Sequence, residues 1–199
     1  AYTRLVKLNI YTGREQNLAR SPIKRAGLTL DGDGELRFAY GVDLDDDESF
    51  KAFVREGKDW RLIKQAKKNE GSFVPVGFSS DNKTAYILDN IETDTQALYS
   101  YEMSSGDTQL MYRHPFVDVD QITFSGEEQG SDVGDIAGVW VEPDYPMYVP
   151  LSEDLDYNKA LVGLQRKFPQ YSVDIISKSG KGEDGSQLGV VGVRSDKLP

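Results

Sequence analysis

The residue with the clearest catalytic potential is the single histidine, His114, which precedes Asp118 and Asp120 in the segment YRHPFVDVD. A histidine held by a carboxylate is the general base of a serine-based triad. That chemistry also needs a Gly-x-Ser-x-Gly elbow, which presents the serine on a tight turn between a strand and a helix. No serine in the chain has glycine both two positions before it and two positions after it. We therefore predict that His114 closes a turn ahead of Pro115 and that the chain has no catalytic residue.

Two acidic segments have carboxylates at alternate positions, a pattern that can converge on Ca²⁺: DGDGE at 31–35 and DLDDDES at 43–49. An EF-hand loop would need glycine at its sixth position and glutamate at its twelfth. These positions are occupied by Leu36 and Val42 in the first segment, and by Glu48 and Val54 in the second. Solvated acidic turns are therefore favoured over a calcium site, and we predict no metal and no cofactor.

The aromatic residues offer a third kind of chemistry. Trp60, Trp140 and the 11 tyrosines could stack on a peptide or a carbohydrate. Large rings at alternate strand positions more commonly pack sheet against sheet, where burying each contributes on the order of 2 to 3 kcal/mol. We predict that they form core.

Charge and composition limit the partners. The 199 residues include no cysteine and carry a formal net charge of −10. This charge opposes contact with nucleic acid or an anionic membrane, so neither is predicted as a partner. No apolar run approaches the roughly 20 residues that span a bilayer. The start without methionine and the end just after an apolar run suggest a piece of a longer protein, with the compartment open between bacterial cytoplasm and periplasm.

The elements that would position these residues are mostly short strands. Alternating apolar runs are separated by turn-forming residues, as at 12–13, 31–34, 81–82, 105–106 and 184–185. One segment differs, because Tyr157, Ala160, Leu161, Leu164 and Phe168 have helical spacing. The sequence thus predicts an all-β fold (sandwich, barrel or propeller) with one inserted amphipathic helix at 155–168.

A repeat distinguishes among these architectures. Leu30, Asp33 and Phe38 match Phe78, Asp81 and Tyr86 at one constant offset of 48 residues, with weaker echoes at Phe124 and Ile176. A period of about 45 to 50 residues with three or four strands per unit is typical of propeller blades. We predict a partial β-propeller of about four partial blades over 1–199, with a sandwich of fortuitous spacing as the alternative. The predicted pieces are 4–20 (the end of a blade), 28–65, 73–113, 119–150 leading into the helix, and 171–199 (the start of a blade).

The same segments resemble a known family. FSSDNKTAYIL followed by ALYSYEMSSGDTQLMYRHP is similar to the Phe-Ser-x-Asp-Gly-Lys…Leu-Tyr…Asp-x-x-Thr-Gly blade unit of TolB-like propellers. A longer series of segments resembles the N-terminal propeller of bacterial serine peptidases of the prolyl oligopeptidase and acylaminoacyl-peptidase family. In chain order these segments are LRFAY, DWRLIKQ, FVPVGFSSDNKTAYIL, LMYRHPFVDVD, the helix and GVRSDKLP.

The resemblance implies a non-catalytic domain. In that family the propeller covers the active site of an α/β-hydrolase domain and admits short peptides, so the implied partners are such a C-terminal domain of the same parent chain and, through it, peptide substrates. The catalytic serine, aspartate and histidine would lie beyond Pro199. In some dipeptidyl peptidases propeller glutamates hold the substrate amine, but Glu142 lacks their motif and is predicted to be a plain strand-end carboxylate.

Other functions remain open. The chain could be a stand-alone TolB-like propeller that serves as a protein-interaction or ligand-binding scaffold. A glycan-binding or glycan-cleaving propeller would need paired carboxylates on converging strands. In each case an open array of blades exposes strand edges, through which copies could self-associate.

Overall fold

The computed structural model describes residues 1–46, 48–125, 134–180, 182 and 184–195. Within these ranges the chain forms fifteen β-strands and one α-helix. In chain order they are β1 (Tyr2–Leu8), β2 (Glu15–Lys24), β3 (Gly27–Leu30), β4 (Leu36–Val42), β5 (Phe50–Glu56), β6 (Asp59–Ala66), β7 (Phe73–Phe78), β8 (Thr84–Asp89), β9 (Ala97–Glu102), β10 (Thr108–Tyr112), β11 (Val119–Phe124), β12 (Ile136–Val141), β13 (Met147–Pro150), α1 (Asp156–Lys167), β14 (Ser172–Lys178) and β15 (Gly189–Arg194).

The strands pair in chain order. In the described residues they form five antiparallel sheets: β1-β2, β3-β4-β5-β6, β7-β8-β9-β10, β11-β12-β13 and β14-β15. The prediction of a mostly β chain with one helix is confirmed. The sheets are separate and do not make a closed propeller, so the number of blades stays a prediction.

Two compact units divide the chain. The N-terminal unit comprises Ala1–Arg113 with Glu128–Gly134, and the C-terminal unit comprises His114–Glu127 with Asp135–Pro199. The N-terminal unit contains β1 to β10, and the C-terminal unit contains β11 to β15 and α1. The predicted segments 28–65 and 73–113 each coincide with one four-stranded sheet of the N-terminal unit.

The main core of the N-terminal unit lies between its two four-stranded sheets. Phe38 on β4 is fully buried, and its ring centroid lies 6.0 Å from that of Phe78 and 5.6 Å from that of Tyr101. Phe73 meets Tyr101 edge-on at 6.3 Å. Such offset and T-shaped aromatic pairs stabilise a core beyond the area they bury.

The β3–β6 sheet is covered on its other face as well. Ala39, the neighbour of Phe38 on β4, points the opposite way and packs with Ile23 of β2 and with Ala26, which lies between β2 and β3. Because successive side chains of a strand face opposite sides, a strand with buried neighbours at both positions must lie between two layers. The N-terminal unit is therefore a stack with the β3–β6 sheet in the middle.

Equivalent turns of the two four-stranded sheets contact each other. Asn82, between β7 and β8, donates from its side chain to Asp33 Oδ2 at 2.9 Å and accepts from the Gly32 amide at 2.9 Å. Asn82 has φ of +57° and Gly34 of +78°, the left-handed conformation that tight turns require. The repeated turns that the sequence aligns thus lie side by side in space.

The C-terminal unit combines the β11–β13 sheet, the β14-β15 hairpin and α1. Helix α1 has Leu155 and Phe168 as its flanking caps, in agreement with the predicted span of 155–168. Asp156 in its first turn and Arg166 and Lys167 in its last complement the helix dipole. No helix in the described part of the chain is long and apolar enough to cross a membrane.

Candidate functional site

His114 lies in the C-terminal unit at the turn after β10. Its Nδ1 accepts the backbone amides of Phe116 at 3.3 Å and Val117 at 3.2 Å. These bonds close the turn around Pro115 and use the nitrogen that a triad would direct at a carboxylate. The geometry matches the predicted turn-closing role, and Asp120 lies exposed on β11.

In the first acidic segment the Asp31 carboxylate accepts hydrogen bonds from backbone amides of the same turn. The side chain of Asp31 is 3% exposed, and its Oδ1 accepts the amides of Asp33 at 3.1 Å and Glu35 at 2.9 Å. Its Oδ2 lies 3.5 Å from Nη1 of Arg37. Asp31 is thus a structural carboxylate that ties the β3-β4 turn to β4.

Lysines pair with four carboxylates of the second acidic segment, whose Asp47 lies outside the described residues. The nearly buried Lys51 bonds Asp43 at 3.1 Å and Asp46 at 2.7 Å, while Lys24 pairs with Asp45 at 2.8 Å. Lys68 pairs with Glu48. The bond to the Asp46 carboxylate raises the pKa of Lys51, so an ammonium occupies the position between the carboxylates. In the described residues no three or more His, Cys, Asp or Glu side chains are arranged to hold a metal ion.

The tryptophans and Glu142 contact the chain itself or the solvent. Trp60 Nε1 donates to the Arg20 carbonyl at 3.0 Å, and Trp140 Nε1 donates to Thr123 Oγ1 at 3.2 Å. Trp140 also packs on Tyr148 at 5.3 Å between centroids. Glu142 is exposed directly after β12. The tryptophans are half-buried and pack on neighbouring side chains as predicted, and Glu142 lies at a strand end. The prediction that the tyrosines form core is wrong for Tyr11, which is 91% exposed in the turn between β1 and β2.

One cleft that could hold a ligand was not anticipated from the sequence. A cleft of about 510 Å³ lies within the N-terminal unit, between β6 of one four-stranded sheet and β9 and β10 of the next. We call it the Arg113 cleft. Its walls carry the cations Arg61, Lys64 and Arg113, and the buried side chains of Phe73 and Ile91 lie among them.

Arg113 follows the last residue of β10 and reaches back to β9. Its Nη2 donates to the hydroxyl of Tyr99 at 2.6 Å. Its Nε is buried and makes no hydrogen bond to any described atom. A buried donor without a partner is uncommon and costly, and among the described residues Nε of Arg37 is in the same state.

The other two cations of the cleft are paired. Lys64 lies 3.5 Å from Oδ2 of Asp89, whose Oδ1 accepts the Ile91 amide at 2.7 Å. Arg61 is hydrogen-bonded to Glu56, which raises the pKa of the guanidinium. Among the described residues, Arg113 is the cleft cation without a carboxylate partner. The arrangement can therefore bind an anionic group.

Comparison with known proteins leaves the family unassigned. Neither a protein-family model nor a curated protein matches the sequence. The function must therefore be argued from the residues and the structure.

The sequence contained only an indirect signal for Arg113. It stands in LMYRHPFVDVD, directly after an apolar run, where an arginine usually marks a strand end. Its approach to β6 depends on how two sheets far apart in the chain stack. No local pattern reports that distance.

Proposed function

We propose that this chain is a non-catalytic β-propeller segment of a serine peptidase of the prolyl oligopeptidase family. In this role it covers the active site of an α/β-hydrolase domain of the same parent chain. It restricts entry to short peptides, since a folded protein cannot pass the propeller. The segment needs no catalytic residue of its own.

The observation that carries the proposal is the stacking of two consecutive four-stranded meanders. Sheets β3–β6 and β7–β10 pack face to face through Phe38 and Phe78, and their first turns meet through Asp33 and Asn82. Blades of a propeller follow one another in the chain and bury their faces on their neighbours in this way. The offset of 48 residues between the two sheets falls within the spacing of one blade.

The first test reads the parent gene beyond Pro199. A Gly-x-Ser-x-Gly elbow within alternating strands and helices, roughly 100 to 150 residues downstream, is expected because that is the size of a typical domain. A stop codon soon after Pro199 would overturn the peptidase assignment.

A second test uses the purified chain on peptidyl-nitroanilides. We expect no release of nitroaniline above the buffer rate, because the chain lacks an elbow serine. Turnover that co-elutes with the chain and is blocked by a serine-directed phosphonate would contradict the non-catalytic role.

A second candidate is a stand-alone propeller that serves as a binding scaffold, as TolB-like proteins do. The Arg113 cleft favours it, because a ligand site on the blades themselves would serve without a hydrolase domain. The gene sequence beyond Pro199 separates the two candidates.

A further inference from the structure

We propose that the Arg113 cleft binds the carboxylate of a short peptide, with the guanidinium of Arg113 as the group that recognises it. This site would lie on the blades and would be separate from any hydrolase active site. The inference concerns the N-terminal unit alone and does not depend on the peptidase assignment.

The bonding state of Arg113 is the first reason. The hydroxyl of Tyr99 holds Nη2 at 2.6 Å, which restrains the plane of the guanidinium. Nη1 makes no hydrogen bond to the described protein and is not among its buried unpaired atoms, and Arg113 lines the cleft. A guanidinium held in one plane with free donors suits a planar carboxylate.

The charges around Arg113 favour a singly charged ligand. Asp89 and Glu92 also line the cleft, and Glu56 binds the third cation, Arg61. These carboxylates repel a dianion more strongly than a monoanion. A peptide carboxylate therefore fits better than a phosphate group.

The cleft also has apolar residues, which can contact an apolar side chain of the peptide. Phe73 and Ile91 are only 3% and 8% exposed, so the apolar surface open to a ligand comes from Ile63 and Tyr99, which are half-buried and line the same space as Arg113. A volume of about 510 Å³ is within the usual range for a small-ligand site. A dipeptide or tripeptide could place an apolar side chain there while its terminal carboxylate meets Arg113.

The experiment compares N-acetyl-phenylalanyl-leucine with its C-terminal amide. Both are titrated into the ¹⁵N-labelled chain, and dissociation constants are taken from the shifts of amide signals along β6 and β9. We expect the acid to bind about tenfold more tightly than the amide, because the two differ in the charge that Arg113 would meet. Equal affinities, or no shifts in these strands, would overturn the proposal.

Variants assign the effect to Arg113. Arg113→Gln should weaken binding of the acid about tenfold and leave the amide unchanged. Arg4→Gln, the same change at an exposed arginine of the same unit, should bind like the wild type. If Arg113→Gln shifts amide signals throughout the N-terminal unit, Tyr99→Phe is used in its place. For Tyr99→Phe we expect the affinity for the acid to fall about threefold and the affinity for the amide to stay unchanged. An unchanged acid affinity in the folded variants would refute the role of Arg113.

Inorganic phosphate tests the class of ligand. Added at the same concentrations, it should shift the same signals more weakly than the peptide acid. Phosphate binding as tight as that of the peptide would refute the peptide carboxylate and indicate a general anion site.

Discussion

Asp81 shows how single polar residues are used in the turns of this chain. It lies in the β7-β8 turn, where Oδ1 accepts the hydroxyl of Ser79 at 2.8 Å and the amide of Lys83 at 3.1 Å. The bond from Ser79 and the bonds from Lys83 lower the pKa of Asp81 to about 2. Ser79, Ser80 and Asp81 resemble a crowded reactive site in the sequence, but the first and third of them pair with each other and with the turn.

Removing the hydroxyl tests this account. Ser79→Ala should raise the pKa of Asp81 from about 2 towards the ordinary value of about 3.9, because the largest stabilising bond to the carboxylate is lost. The measurement is the pH dependence of the Asp81 carboxyl ¹³C shift. Ser80→Ala, at an exposed neighbour that does not bond Asp81, is the control and should leave the titration unchanged.

The depressed pKa also sets the sign of a stability effect. A carboxylate with a lower pKa in the folded state stabilises the fold above the unfolded value of about 3.9. That contribution is lost as the pH falls through about 2. An Asp81 titration with the same midpoint in the Ser79→Ala variant as in the wild type would disprove the assigned cause.

Asn158 on helix α1 bonds to the β11–β13 sheet. Asn158 is 2% exposed and accepts the hydroxyl of Tyr148 at 2.7 Å. Its amide donates to the carbonyls of Ala137 at 2.8 Å and Ser152 at 2.5 Å. Tyr148 in turn lies against Gly138, where an added Cβ would come within 2.4 Å of the tyrosine ring. The helix, β13 and β12 therefore share one buried hydrogen-bonded network.

Asn158→Ala should destabilise the C-terminal unit by about 2 to 4 kcal/mol, because it leaves buried polar partners unpaired. The free energy of unfolding is measured in urea by tryptophan fluorescence. The chain has two tryptophans, Trp60 and Trp140, and a Trp60→Phe background leaves Trp140 to report on the C-terminal unit.

Gly163 provides a control on the same helix. A Cβ there meets no atom within 4 Å, so Gly163→Ala should stabilise α1 by about 0.5 to 1 kcal/mol. If Asn158→Ala unfolds at the urea concentration of the parent while Gly163→Ala raises the midpoint, the proposed network does not hold the helix.

At the scale of the whole molecule, an unpaired strand edge is a place where two copies of the chain can associate. In the described residues β1 pairs with β2 alone, so its other edge is open. Leu8 on this strand is 53% exposed, and Ile10 beyond it is 80% exposed. An exposed apolar edge is a template for pairing with a second chain. Self-association, expected from the sequence, thus has a defined place where it can be tested.

We expect the chain to self-associate with increasing concentration and Leu8→Lys to weaken that association about tenfold, since a charged edge resists pairing. Size-exclusion chromatography with light scattering over a range of concentrations measures it. Leu44→Lys is the matched control, because Leu44 is 51% exposed but lies outside the strands. A chain that is monomeric throughout, or equal effects of the two variants, would argue against the β1 edge.

The residue pattern alone was sufficient for a mostly β chain with one helix. Alternating apolar residues and Asn, Asp and Gly turns are local signals, and the helical spacing predicted a helix at 155–168, where the structure has Asp156–Lys167. The repeat between Leu30 and Phe78 also anticipated two equivalent sheets, because each sheet needs the same turn chemistry. The sequence also predicted that the acidic segments form turns between strands.

The tertiary structure alone decided which distant side chains meet. Lys24 pairs with Asp45, 21 residues away in the chain, and Arg113 lines a cleft with Lys64, because sheets stack at distances that no local pattern encodes. Side-chain type and spacing determine whether a strand or helix forms, since those depend on neighbours in the chain. A binding cleft depends instead on the packing of whole sheets, and in the Arg113 cleft that packing leaves Arg113 as the described cation without a carboxylate partner.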